Sequence, residues 1–239
     1  MMGKRWMAFG AAIFAAALGF AAGRGDFSFR DNAALYAAAV RDSVFAEEGE
    51  ILPLVALTPS DPLTAWDSAG RVLLLTFHRY PESYPAGQGF TASHGEVWTV
   101  SAPELAAWYR SHGAGVSDWP LRFKQLLGCH ESKPYSHFSA LWVKPSDVRR
   151  PAYEPDPARQ LTAARLSADA PEDFKAWWNA NIVRSYFGEG VAVPWTRLGY
   201  TYDWAAGGKE YGLTEFIIRA GAQGQVEFTL PTADFLKRL

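Results

Sequence analysis

The feature that most constrains this chain is a set of short β-runs scattered among helices with no repeating strand–helix rhythm. HFSALWV (137–143) alternates cleanly, with Phe138, Ala140 and Trp142 on one face and His137, Ser139, Leu141 and Val143 on the other. RVLLLTFH (71–78) and GEVWTVS (95–101) read as strands as well. LTEFIIRA (213–220) and QVEFTL (225–230) flank GAQG and read as a terminal hairpin. ILPLVAL contains Pro53 and suits an edge strand or extended stretch, and RQLTAARL (159–166) suits a further strand. Intermixed strands and helices of this kind predict an α+β fold, a single domain with a mixed or mainly antiparallel sheet packed by several helices.

The helical segments carry their own punctuation. NAALYAAAVRDSVFAEEGE follows Asp31 or Asn32 as a cap and stops at Gly49. Ser101 and Glu104 have capping-box spacing ahead of PELAAWYRSHG, and Asp118 can cap WPLRFKQLLG, which Gly128 ends. PEDFKAWWNANIVRSYF runs to Gly188 with Phe174, Trp177, Trp178, Asn181, Ile182 and Tyr186 on a broad, mostly apolar face. PTADFLKRL reads as a short helical turn capped by Thr232. RYPESYPAGQG is a turn-rich loop, and KPSDVRRPAYEPDP (144–157) is a proline-rich crossing that does not divide the chain into two domains.

The first 23 residues have the pattern of an export signal: Lys4 and Arg5, an apolar run from Trp6 to Ala22, then small residues at Ala21, Ala22 and Gly23. The run is near the lower length for spanning a bilayer, so it serves either as a cleaved signal or as a retained anchor. The expected plan is therefore residues 1–23 as the export segment and 27–239 as one globular domain. That domain is periplasmic or extracellular and meets the membrane only through its N-terminal segment. The single cysteine, Cys129, lies far from a lipobox position, has no intramolecular disulfide partner, and reads as a buried small hydrophobe.

Composition narrows the partners. With 23 basic and 25 acidic side chains, a net charge of −2 gives no electrostatic basis for nucleic-acid binding. High aromatic content with balanced charge favours a small molecule, a glycan or an envelope protein as partner. GxSxG, GxxxxGK[ST], HExxH and CxxC are all absent, and no cofactor is implied. His94 with Glu96 makes half a metal site at best, and His130 with His137 does no better, so no metal is expected. For acid–base or nucleophilic work the candidates are His78 at a strand end, His137 beside Ser136 and Ser139, Asp203 and Glu215.

The densest aromatic stretch is VPWTRLGYTYDWAAGGKEYGLTEFII (193–218). Extended, it would place Thr196, Leu198, Tyr200, Tyr202 and Trp204 on one face, a surface suited to stacking on rings or to covering a core. Arg197 is placed to pair with Asp203. Together with Tyr80 and Tyr84 of the YPESYPAG loop, the residues Tyr200, Tyr202 and Trp204 form a candidate ligand cleft. PWTRLGYTYDW with YGLTEFII, GEVWTVS, and the LLG ahead of HFSALWVKPSDVRRP resemble an uncharacterised family of bacterial exported proteins, many with lipoprotein-type signals. The resemblance implies export and carries over no catalytic residue, and this chain departs from the lipoprotein members in lacking the lipobox cysteine. The functional expectation is an exported envelope protein that binds a ligand or partner without catalysis. The alternatives are an envelope hydrolase using histidine and carboxylate groups, and a structural or assembly subunit.

Overall fold

The computed structural model describes residues 29–239, so the export segment lies outside the described residues. The elements are α1 (Phe29–Asp42), β1 (Val72–His78), β2 (Gly89–Thr91), β3 (Val97–Ser101), α2 (Ala102–His112), α3 (Trp119–Leu126), β4 (His137–Val143), β5 (Val148–Arg149), α4 (Glu172–Ile182), β6 (Tyr200–Asp203), β7 (Glu210–Ile218), β8 (Gln223–Pro231) and α5 (Thr232–Phe235). The strands form one antiparallel sheet in the order β2-β8-β4-β1-β3-β7-β5, with β6 also paired to β7. The α+β architecture expected from the sequence is what forms.

β1 sits at the centre, in register with β4 from Val72↔Val143 to His78↔His137. Both faces of this ladder are apolar, so both are covered. One face carries Leu75, Phe77, Phe138 and Ala140 and packs on Leu105 of α2, Phe123 and Leu126 of α3, and Phe235 of α5. The other carries Leu74, Leu141, Phe216, Ile218 and Val226, and its cover includes Val55 and Leu57 from ILPLVAL. That segment forms no strand. It runs extended, with Leu54 N–H donating to Gln160 O, Val55 N–H to Thr214 Oγ1 and Leu57 N–H to Pro157 O. RQLTAARL forms no strand either, and its Gln160 carbonyl instead receives the Leu54 amide.

The expected terminal hairpin does not form. β7 pairs with β3, β5 and β6, whereas β8 pairs with β4 and β2. In a flat sheet four inter-strand steps, about 19 Å, would separate β7 from β8. Yet only Arg219–Ala222 joins them, turning tightly with Ala222 N–H donating to Arg219 O. The sheet therefore curls around its Leu74–Leu141 face, and one apolar cluster there gathers residues of β1, β2, β4, β5, β7 and β8. A tight turn between two β-runs looks the same locally in a hairpin and in this crossing.

Other local expectations are redirected by tertiary partners. Asp118 caps α3 as expected, accepting from Leu121 N–H at 3.0 Å. At the start of α2 no capping box forms: the Ser101 hydroxyl donates to Leu63 O, and half-buried Glu104 accepts from the amide and hydroxyl of Thr214. Thr232 likewise donates to Ser136 O, while Pro231 occupies the cap position of α5.

One side chain ties the irregular cover together. Arg150 is fully buried, its Nη1 donating to the carbonyls of Asp156 and Arg159 and its Nη2 to those of Val55 and Pro157. Gly199 lies against it. With φ of +89° and a would-be Cβ 2.7 Å from Arg150 Cδ, that position has room for glycine alone. Replacing Arg150 by Met is expected to cost about 3–5 kcal/mol, because four carbonyls inside the fold lose their donor. Gly199→Ala is expected to be destabilising as well. Urea midpoints measure both, and an Arg150→Met midpoint equal to wild type would show that those carbonyls find other partners.

Candidate functional site

The helix-covered face of the sheet is not fully covered. Beside α3, the residues Leu75, Trp98, Val100 and Glu215 remain as lining of a cleft of about 410 Å³. Its walls come from Tyr36 of α1, the loop from Leu127 to Tyr135, the end of α4, and the Val193–Trp195 segment. α4 passes into a π-helical turn at Val183–Phe187, a local widening that recurs at functional positions, and Asn181, Arg184 and Ser185 line the cleft around it.

Two polar side chains define the interior. Glu215 stands on β7 opposite Val100 of β3, half-buried and open to the cleft, and no described residue hydrogen-bonds its carboxyl group. Burial alone pushes that carboxyl up to about 8, so at neutral pH it is mostly a neutral acid. Asn181 is 3 % exposed, and its Nδ2 has no acceptor among the described residues. Leaving such a group unsatisfied costs on the order of 1–3 kcal/mol. Both positions stood out locally in the sequence, one as a charge within LTEFII and the other as an amide on an apolar helical face.

The wider lining is aromatic and partly basic. Trp98 is 36 % exposed, and its ring meets Trp195 edge-on at 6.5 Å. Lys133 and Arg184 are exposed cations in the lining. Glu96, a further carboxylate there, is held by Arg149 and by the indole N–H of Trp177. It is therefore neutralised, and its pairing with His94 as a metal half-site has no geometric support.

The structure brings four of the sequence candidates to this cleft, namely His78, Tyr84, Tyr202 and Glu215. His78 is locked in a chain of hydrogen bonds. Its Nδ1 accepts from Tyr80 N–H, so Nε2 carries the proton and donates to Ser139 Oγ at 2.7 Å. Ser139 then donates to Thr229, whose hydroxyl donates to Tyr84 O. No lone pair is left for His78 to act as base toward Ser139, which rules out that pair as a nucleophilic dyad. Burial, with His137 nearby, lowers the His78 imidazole to about 4. Cys129 also lines the cleft, but burial, with Glu215 adding to it, pushes its thiol up to about 12 and leaves it a poor nucleophile.

The remaining candidates lie elsewhere. His137 shares a hydrogen bond with Ser136 Oγ. Asp203 is bound by both terminal nitrogens of Arg122, at 2.9 and 2.7 Å, which ties β6 to α3. The expected Arg197–Asp203 pair does not form, because Arg197, at φ +61°, donates to Ser43 O and Val44 O. Tyr80 is exposed under the Arg79 guanidinium. Tyr200 and Trp204 are buried in two separate clusters, with their polar atoms bound to Glu50 O and Cys129 O. The five aromatic residues therefore do not converge on one cleft. Tyr202 reaches it, but its hydroxyl is bound to Asp42. Near there Asp42, Glu50 and Glu210 gather within 4.8 Å as an acidic cluster at least partly open to solvent.

Comparison with known protein families, with characterised proteins and with solved structures finds no match, so function rests on the geometry of the cleft.

The buried carboxyls set a pH dependence. Glu104 is pushed up to about 7, mainly by burial, and Glu215 to about 8. For a carboxyl raised in the folded state, the folded protein holds protons that the unfolded chain has released. Its contribution is full below the unfolded value and is lost as pH rises through the folded one. The lowered His78 acts in the opposite sense, but only below its ordinary value of 6.5. Between pH 6.5 and 8 stability should therefore fall by about 2 kcal/mol. Thermal unfolding across that window should show the fall, with a clearly shallower slope in Glu215→Gln. An unchanged slope in that variant would mean that Glu215 is ionised at neutral pH.

Proposed function

We propose that this is an exported, non-catalytic envelope protein that binds a small ring-bearing molecule in the cleft over Glu215. One observation carries the reading: inside a cleft of ligand size, an acid and an amide are left without partners among the described residues, while the polar atoms of Tyr36, Trp195 and Tyr202 beside them are paired. Buried polar groups in folded proteins are generally satisfied, so an unpaired pair among the residues lining a cavity points to a ligand that satisfies them. At neutral pH both groups can donate a hydrogen bond, and the ligand then presents acceptor oxygens. The expected location outside the cell supports the reading through the N-terminal pattern alone.

A second reading, an envelope hydrolase, draws on the neutral state of Glu215, which is the state a general acid requires. The two readings part at Glu215→Gln, which keeps a donor but cannot release a proton. A binding protein keeps most of its affinity in this variant, whereas a hydrolase keeps affinity and loses turnover.

The test is a thermal-shift screen of the purified protein against sugars, cell-wall fragments, small peptides and aromatic acids. A ligand of the folded state raises the melting temperature by mass action. The shift should be present in wild type and absent in Asn181→Leu. That variant is expected to be more stable than wild type by about 1 kcal/mol, since it removes an unsatisfied buried amide. A shift that persists undiminished in Asn181→Leu would place binding elsewhere.

A further inference from the structure

Resting on that reading, we infer that the ligand of the cleft is an acidic N-acylated amino sugar. Its ring lies on Trp98, its acyl oxygen meets Asn181 and Glu215, and its carboxylate sits near Lys133 and Arg184. Trp98 supplies the ring platform. Trp195 meets it at an interplanar angle of 88°, an edge contact that can leave a face of the half-exposed indole to the cleft. Such faces pack against the C–H surface of a sugar or against another ring. Inside, the free amide of Asn181 and the unpaired carboxyl of Glu215 favour an acceptor with two lone pairs, which a carbonyl oxygen has.

The outer wall supplies the charge. His130 packs on Tyr36 at 4.7 Å, the Tyr36 hydroxyl donates to Ala192 O, and Val193 N–H donates to Ser185 O. This run of contacts connects the loop bearing Lys133 to the turn bearing Arg184 as one wall. Neither cation has a carboxylate partner among the described residues. Of the carboxylates in the cleft lining, Glu96 is already neutralised by Arg149. A simple aromatic acid would satisfy the cations and the ring platform but leave the inner donors empty. A neutral sugar would satisfy the ring and the donors but not the cations.

The test is calorimetric titration at low salt and pH 6.5 with N-acetylmuramic acid, N-acetylglucosamine and 4-hydroxybenzoate. The first two differ only in the lactyl ether that bears the carboxylate. Wild type should prefer N-acetylmuramic acid to N-acetylglucosamine by about tenfold, and added salt should narrow the gap. The double variant Lys133→Gln/Arg184→Gln should lose that preference and keep its affinity for N-acetylglucosamine. Both side chains are exposed and make no hydrogen bond to described residues, so their replacement leaves the packing in place. Asn181→Leu should weaken both sugars. Equal affinity for the two sugars in wild type, a preference that survives the double variant, or tighter binding of 4-hydroxybenzoate would each overturn the inference. If neither sugar binds while another ring compound gives an Asn181-dependent thermal shift, the sugar assignment falls and the binding cleft stands. If no compound in either experiment binds, both fall.

Discussion

The central sheet is apolar on both faces, and only one face has helices to cover it. Much of the other is covered by chain that belongs to no strand or helix, and such chain carries backbone carbonyls with no ladder to join. The Arg150 guanidinium resolves this by taking four of those carbonyls at once. A planar fork with several donors suits that task, whereas a lysine ammonium would not reach the same set. Burial pulls the group down to about 10, which still leaves it cationic at neutral pH, and the ring of Phe216 lies 5.5 Å from its charge centre. Gly199 and the PWTRLGYTYDW turn are shaped around this contact.

That arrangement explains why the aromatic run is framework. The indole N–H of Trp195 donates to Pro151 O and that of Trp204 to Cys129 O, and the Tyr200 and Tyr202 hydroxyls reach Glu50 O and Asp42. Each ring is spent on packing, and each polar tip on tying β6 and its flanks to α1, to the Glu48–Glu50 turn, to the loop after α3 and to the crossing after β5. A recognition surface would leave some of those tips free. In the neighbouring cleft the pattern reverses, and Asn181 and Glu215 stand unpaired in surroundings where pairing is the rule. Their contrast with the paired tips of Tyr36, Trp195 and Tyr202 beside them, more than any motif, marks the site.

The same contrast bears on mechanism. An apolar enclosure that keeps Glu215 protonated also keeps the Cys129 thiol from ionising, so one environment favours hydrogen-bond donation and disfavours nucleophilic chemistry. His78, one of the two histidines offered as a base by the sequence, has its proton fixed by the Tyr80 amide and its remaining capacity used within the fold. Chemistry in this cleft, if a ligand brings it, begins from a neutral acid.

Local physics made much of the fold legible. The alternation in HFSALWV fixed which residues share a face, Asp118 capped α3 as its position demanded, and the α4 periodicity held through Trp178 and Asn181. The capping box failed because Glu104 found stronger partners in Thr214 across the sheet, and Asp203 chose Arg122, 81 positions away, over Arg197, which its turn points elsewhere. Glu215 could be suspected from its place among LTEFII, and Asn181 from its place on an apolar face. That the two share a cleft, and that neither is paired, depends on how the sheet curls and where α4 docks. By itself, then, the sequence determined most of the longer helices and strands, the faces of those strands and the exceptional residues, because those depend on neighbours a few positions apart. Strand order, the fate of each polar tip and the cleft were decided only by tertiary structure, because they depend on contacts between segments far apart in the chain.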